Sequence, residues 1–163
     1  MNELAKLKPV WVGLWINRKS SLLRIFDLKA VTEGTNRTHY RIKGAYQTGV
    51  GRPDSTTRFP VTGFVTGDQI VFTVSFRVAD NNREDDEPKD AMTAWAGQIM
   101  PDQENCEIQT LQTLWHLTRN VVEGEDDTDP NPEKDHGWAS LLAGADTFRK
   151  ISDDPNASPP TLE

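Results

Sequence analysis

Ile70-Val71-Phe72-Thr73-Val74-Ser75-Phe76-Arg77-Val78 alternates without a break. Ile70, Phe72, Val74, Phe76 and Val78 fall on one side, and Val71, Thr73, Ser75 and Arg77 on the other. Successive side chains of a strand point to opposite faces, so a period of two specifies a β-strand with one buried face. Just before it, Thr66-Gly67-Asp68-Gln69 carries Gly-Asp at its centre, a two-residue hairpin signal. The hairpin predicts an antiparallel partner over residues 58–65. Farther out, residues 11–17, 21–28 and 39–48 read as strands before this pair, with Ile42, Gly44, Tyr46 and Thr48 sharing one face. Residues 91–100, 107–118 and 139–151 read as strands after it.

Between these segments lie turns and loops: polar residues 32–37, the Gly-, Pro- and Ser-bearing stretch 49–57, and a short turn at 101–105. Two loops, residues 80–90 and 123–136, are acidic and carry proline. No segment reads as an amphipathic helix. Residues 1–10 form an N-terminal segment, residues 11–151 the folded domain, and residues 152–163, rich in Asp, Pro and Ser, a disordered tail. Sequentially adjacent short strands predict an all-β, up-and-down antiparallel arrangement. A closed barrel removes the exposed edges of such a sheet, and eight strands leave room inside for one small ligand. A sandwich of seven to nine strands would show the same periodicity.

Composition narrows the partners. The 163 residues suffice for one domain with a core. Lys and Arg number 18 against 25 Asp and Glu, a formal net charge of -7. That balance argues against nucleic acid, which needs a basic footprint, and against anionic membrane surfaces. No apolar run approaches the roughly 20 residues of a membrane helix, and no secretion leader can be read in Met1–Lys8. The single cysteine, Cys106, offers neither an intrachain disulfide nor a metal cluster and reads as an inert thiol.

The tryptophans point to a pocket. Trp15, Trp95, Trp115 and Trp138 each stand a few positions from small hydrogen-bonding residues, and in a strand residues two apart share a face. Buried polar groups cost free energy unless paired, so rings and hydroxyls on one inner face describe a small-molecule site better than a core.

Six segments in order then resemble the avidin and streptavidin family over roughly residues 12–150. They are Gly13-Leu-Trp-Ile-Asn17 with Ser21, Gly44-Ala-Tyr46-Gln-Thr48-Gly-Val50-Gly51, and Phe72-Thr-Val-Ser-Phe76. Thr93-Ala-Trp95-Ala-Gly97-Gln98, Thr113-Leu-Trp115-His-Leu117-Thr118 and Trp138-Ala-Ser-Leu-Leu-Ala-Gly144-Ala-Asp146-Thr-Phe148 follow. The resemblance implies an eight-stranded antiparallel barrel that binds biotin without catalysis and without a cofactor. It implies that Asn17, Ser21 and Tyr46 donate to the ureido oxygen, that Asp146 and Thr48 accept from the ureido N–H groups, and that Thr93 meets the thioether sulfur. Trp95, Trp115 and Leu117 would be apolar walls, Val50 and Gly51 the loop over the valeryl chain, and Trp138 a ring lent to a neighbouring subunit.

Departures from the family pattern are specific. Phe76 stands where relatives commonly carry tryptophan, which removes area and an indole N–H. Ala91 and Arg52 lie near the positions expected to meet the biotin carboxylate. Ala91 has no hydroxyl to donate, whereas Arg52 could supply a charge-assisted bond. Leu114 and His116 point away from the pocket side and, with Trp138, imply faces buried between subunits, a homotetramer before a dimer. Secretion is implied by the resemblance alone. Two other readings stay open. One is an enzyme using His39, His116 or His136. The other is an oligomeric binding or assembly protein whose pocket holds another small molecule or its own tail, residues 152–163.

Overall fold

A computed structural model of the chain describes residues 2–31, 39–49, 55–78, 89–101, 109–119 and 141–161. Among the described residues, eight strands follow one helix: α1 (Glu3–Trp11), β1 (Gly13–Asn17), β2 (Leu22–Val31), β3 (His39–Gln47), β4 (Phe59–Thr66), β5 (Gln69–Val78), β6 (Lys89–Pro101), β7 (Gln109–Arg119) and β8 (Leu141–Ser152). Each strand pairs antiparallel with the next, and β8 returns to β1, closing the barrel. The barrel, and not the sandwich, is the fold. In the β4–β5 hairpin Thr66 pairs with Gln69, so Gly67-Asp68 are its two loop residues. Gly67 supplies the positive φ of 56° that the tight turn requires.

Parity decides what lies inside. Trp15, Leu23, Ile25, Val61, Phe72, Val74, Trp95, Leu111 and Phe148 form one buried cluster along the barrel axis. Phe72 opposes Trp95, which opposes Trp115, so aromatic side chains form a rung across β5, β6 and β7. Apolar rungs of this kind contribute both area burial and specific ring contacts.

The helix α1 corrects the sequence reading, which contained no helix and began the first strand at Trp11. Asn2 caps it, its side chain accepting from the Leu4 N–H at 3.0 Å, and Glu3 sits in the first turn. Pro9 in the last turn and the lysines obscure its periodicity in sequence. Tertiary packing makes it: Leu4, Leu7 and Val10 rest against the core, and Trp11 is fully buried. The Trp11 indole donates to the Gly67 carbonyl at 2.9 Å, and Trp15 donates to the Trp11 carbonyl at 3.0 Å. The helix therefore floors the barrel at the end that carries the β4–β5 turn. The other end is left for a site.

The tail also differs from its expected disorder. On β2, Leu23 and Ile25 point inward, so Arg24 points outward, yet it is only 3 % exposed. Its Nη1 donates to the carbonyls of Pro155 at 2.7 Å and Ala157 at 2.9 Å. Backbone carbonyls satisfy the guanidinium and fasten residues 155–157 to the outer wall. Burial, followed by nearby Arg58, lowers the Arg24 pKa from its ordinary value, and Asp154 opposes that shift.

Candidate functional site

Strand direction gathers the polar candidates at the unfloored end. Asn17 ends β1, Ser21 precedes β2, and Thr48 follows β3. A tight turn sets the first two. The Ser21 N–H donates to Asn17 Oδ1 at 2.9 Å and the Lys19 N–H to the same oxygen at 3.0 Å. Ser20, at φ 61°, takes the left-handed conformation that this reversal needs. The turn thus occupies the acceptor end of the Asn17 amide and sends the donor end inward. Asn17 Nδ2 donates to Asp146 Oδ2 at 3.3 Å.

Ser21 is buried, and its Oγ accepts from the Gly49 N–H at 3.0 Å. Its hydroxyl is also hydrogen-bonded with Tyr46. Burial pushes the Tyr46 phenol up to about 12, with the Asp146 charge adding to the rise and the Ser21 bond opposing it. Tyr46 is therefore a neutral O–H donor at physiological pH. Asp146 is half-buried on β8, where Thr113 donates to its backbone carbonyl at 3.0 Å. Three hydroxyl or amide groups and one carboxylate accordingly meet on one inner face, with Thr48 buried beside them.

Aromatic walls flank this cluster. Phe72 stacks on Trp95 at 4.7 Å with an interplanar angle of 9°, and Tyr46 lies 5.0 Å from Trp95. Phe76 meets Phe59 edge-on at 4.8 Å and Tyr46 at 6.1 Å. Thr93 is buried between Val74 and Leu117 in the register, and Ala91 pairs with Phe76 nearer the mouth. Trp115 pairs with Gly144, where an added Cβ would stand 2.5 Å from the indole Cζ2. Only a glycine there leaves room for the ring.

Among the described residues, two buried side-chain polar atoms have no hydrogen-bond partner. The indole N–H groups of Trp95 and Trp115 are buried with no acceptor among the described residues. Buried donors are normally satisfied, so this pair marks a place suited to a ligand with acceptor atoms.

Val50, Gly51, Arg52 and Trp138 lie outside the described residues, as do Cys106, His136 and the acidic loops at 80–88 and 123–136. Phe72, Thr113, Gly144 and Leu142 stand in the quoted segments without a site role, although each shares strand parity with Phe76, Trp115 or Asp146. Phe59 carries no such signal on its own strand and enters through its pairing with Tyr46. Leu142 pairs with Leu117 at the mouth. The two described histidines stand apart from this cluster. His39 begins β3 at the floored end against Phe64, and His116 is exposed on the outer face. No group of His, Cys, Asp and Glu among the described residues could hold a metal ion.

The outer face carries its own relief. Val71, Ala96, Leu114 and Ala145 form one rung across β5 to β8, and a groove of about 570 Å³ follows it. Leu114 is 67 % exposed and Val71 51 %.

The family model of the avidins matches residues 6–151. The chain belongs to the avidin family. Solved avidin-like structures share its fold. A biotin-binding protein from chicken superposes with a TM-score of 0.56 at 22 % identity, covering 89 % of this chain and 98 % of that one. Xenavidin gives 0.54 at 23 % identity, covering 86 % and 97 %. Apo shwanavidin gives 0.54 at 19 % identity, covering 86 % and 97 %. Comparison with curated proteins finds no match. At such identities the avidin barrel is shared while individual side chains have diverged.

Proposed function

We propose that this avidin-family chain binds biotin non-covalently in the unfloored end of its barrel. The observation that carries the reading is the convergence of Asn17, Ser21 and Tyr46 with Asp146. A cyclic urea needs donors on its single oxygen and acceptors for its N–H groups. Asn17 Nδ2, the Ser21 hydroxyl and the neutral Tyr46 phenol supply the first. Asp146 and Thr48 supply the second. Donors that converge on one oxygen in a dry site strengthen one another, and a carboxylate acceptor makes its bond charge-assisted. On ligand entry the Asn17–Asp146 contact would give way to bonds with the ligand.

The remaining assignments follow the inner face. Thr93 is assigned to the thioether sulfur, and Trp95, Trp115, Leu117 and Phe76 to the enclosure of the bicyclic head. Val50, Gly51, Arg52 and Ala91 are assigned to the valeryl and carboxylate end, and Trp138 to a neighbour's site. The role is binding without bond chemistry, a reading supported by membership of the avidin family. The tail-in-pocket alternative is disfavoured by Arg24, which holds residues 155–157 on the outer wall. Calorimetric titration of the full chain with biotin tests the reading, since an absent heat of binding would refute it.

We further propose a homo-oligomer, a tetramer, docked through the outer rung of Val71, Ala96, Leu114 and Ala145. Exposed apolar area on that scale is a common signature of an interface. Secretion is proposed from family membership. Among the described residues no helix is long and apolar enough to cross a membrane.

A further inference from the structure

Gln47 stands in β3 between two residues assigned to the ureido group, Tyr46 before it and Thr48 after it. Parity turns those two inward and Gln47 outward. The outward amide is gripped at both ends. Its Oε1 accepts from Arg24 Nε at 2.7 Å, and its Nε2 donates to the Ser55 carbonyl at 3.1 Å. Arg24 in turn is completed by the Pro155 and Ala157 carbonyls. A chain of hydrogen bonds thus runs along the outside of the wall, from the C-terminal segment through Arg24 and Gln47 to Ser55.

We propose that Arg24 is a positioning residue for biotin, which through Gln47 fixes the backbone that presents Tyr46 and Thr48 and which requires the C-terminal segment to be complete. The inference rests on the biotin reading above. Backbone that can rotate at Gln47 moves both neighbours at once, because adjacent strand residues turn together. The guanidinium is a rigid planar fork, so Gln47 and the two carbonyls fix it in one orientation. Removing the carbonyls uncovers Arg24 to water, and the freed, hydrated guanidinium is no longer held in the one orientation that grips Gln47. Ser21 feels the same movement, since its Oγ accepts from Gly49, two residues past Gln47. The C-terminal segment therefore acts on the ligand site without touching it.

The test uses the full chain, Arg24→Met, a chain ending at Ser152, and the two changes combined. Each is loaded with labelled biotin and chased with unlabelled biotin, well below its unfolding transition. Positioning raises the dissociation rate about tenfold in either variant, the scale of one buried hydrogen bond, and no further when both are combined. A merely structural role would lower the unfolding temperature and leave the dissociation rate within twofold, which would overturn the proposal. Multiplying effects in the combined variant would also overturn it, because they require independent routes. Should Arg24→Met fail to fold, the truncated chain decides alone, since it keeps Arg24 and its Gln47 partner and removes the Pro155 and Ala157 acceptors. A full-length chain that takes up no biotin refutes the function itself, an outcome distinct from loss of the Arg24 effect.

Discussion

Asn17 Nδ2 reaches Asp146 Oδ2 at 3.3 Å across the seam where β1 meets β8. The first and last strands of the barrel thus each contribute one side chain to the same polar cluster. The pair also shows how one residue serves structure and site together. The Asn17 oxygen holds the turn to Ser21, and the Asn17 nitrogen faces the interior.

Replacing Asp146 with alanine removes the charge-assisted acceptor and leaves the inward Asn17 donor without its partner. A charge-assisted bond contributes about 1.5–3 kcal/mol, so biotin affinity should fall more than tenfold. Calorimetry on Asp146→Ala reads this directly. Affinity within tenfold of the original would mean that the hydrogen-bond assignment is wrong.

Much of this geometry is legible in the sequence, and particular residues show why. The unbroken alternation of Ile70 to Val78 and the Gly67-Asp68 turn carry local information, and both appear as β5 and its hairpin. The inward set of Tyr46, Thr93, Trp95 and Asp146 follows from the same period of two. The helix over Glu3–Trp11 does not, because its stability comes from Leu4, Leu7, Val10 and Trp11 packing on a core built later in the chain. Arg24 is hidden for the same reason. A lone arginine in a strand reads as solvated, and its burial depends on carbonyls more than 130 residues away.

Gly144→Ala places a methyl against the Trp115 ring, at 2.5 Å from Cζ2. The ring must shift, at a cost of about 1–3 kcal/mol for an overpacked interior. Thermal unfolding should move down, and biotin binding should weaken because Trp115 is one of its walls. An unchanged unfolding temperature would contradict the close packing of Gly144 on that ring.

The Tyr46 phenol carries a pH signature. Its folded pKa, raised to about 12 chiefly by burial, lies above the ordinary value of 10.0. The folded chain therefore holds that proton more tightly than the unfolded chain. Its contribution to stability is complete below pH 10 and is lost as pH rises from about 10 to about 12, at up to about 1.4 kcal/mol per pH unit. Denaturant unfolding of Tyr46→Phe should show a shallower loss across that window than the unaltered chain. Identical slopes would contradict a buried, protonated phenol.

Phe76 closes its side of the site by edge-on contacts with Phe59 and Tyr46. An indole there covers about 30 Å² more apolar surface, on the order of 0.8 kcal/mol. Phe76→Trp is expected to slow biotin dissociation about threefold or more. A faster dissociation would show that the phenyl ring already fills the space.

The outer rung offers a separate measurement. Leu114→Glu puts a charge at the centre of the proposed interface, where Leu114 is 67 % exposed in the single chain. Light scattering should find an oligomer for the unaltered chain and a smaller species for the variant. A monomer before substitution would refute the assembly.

The central claim, biotin held between tryptophan walls, is tested most directly by titrating the full-length chain with biotin and following tryptophan fluorescence. Trp95 and Trp115 line the proposed site with indole N–H groups that have no acceptor among the described residues, so their emission should change and saturate near one biotin per chain. Emission that stays flat through a large excess of biotin would contradict the account.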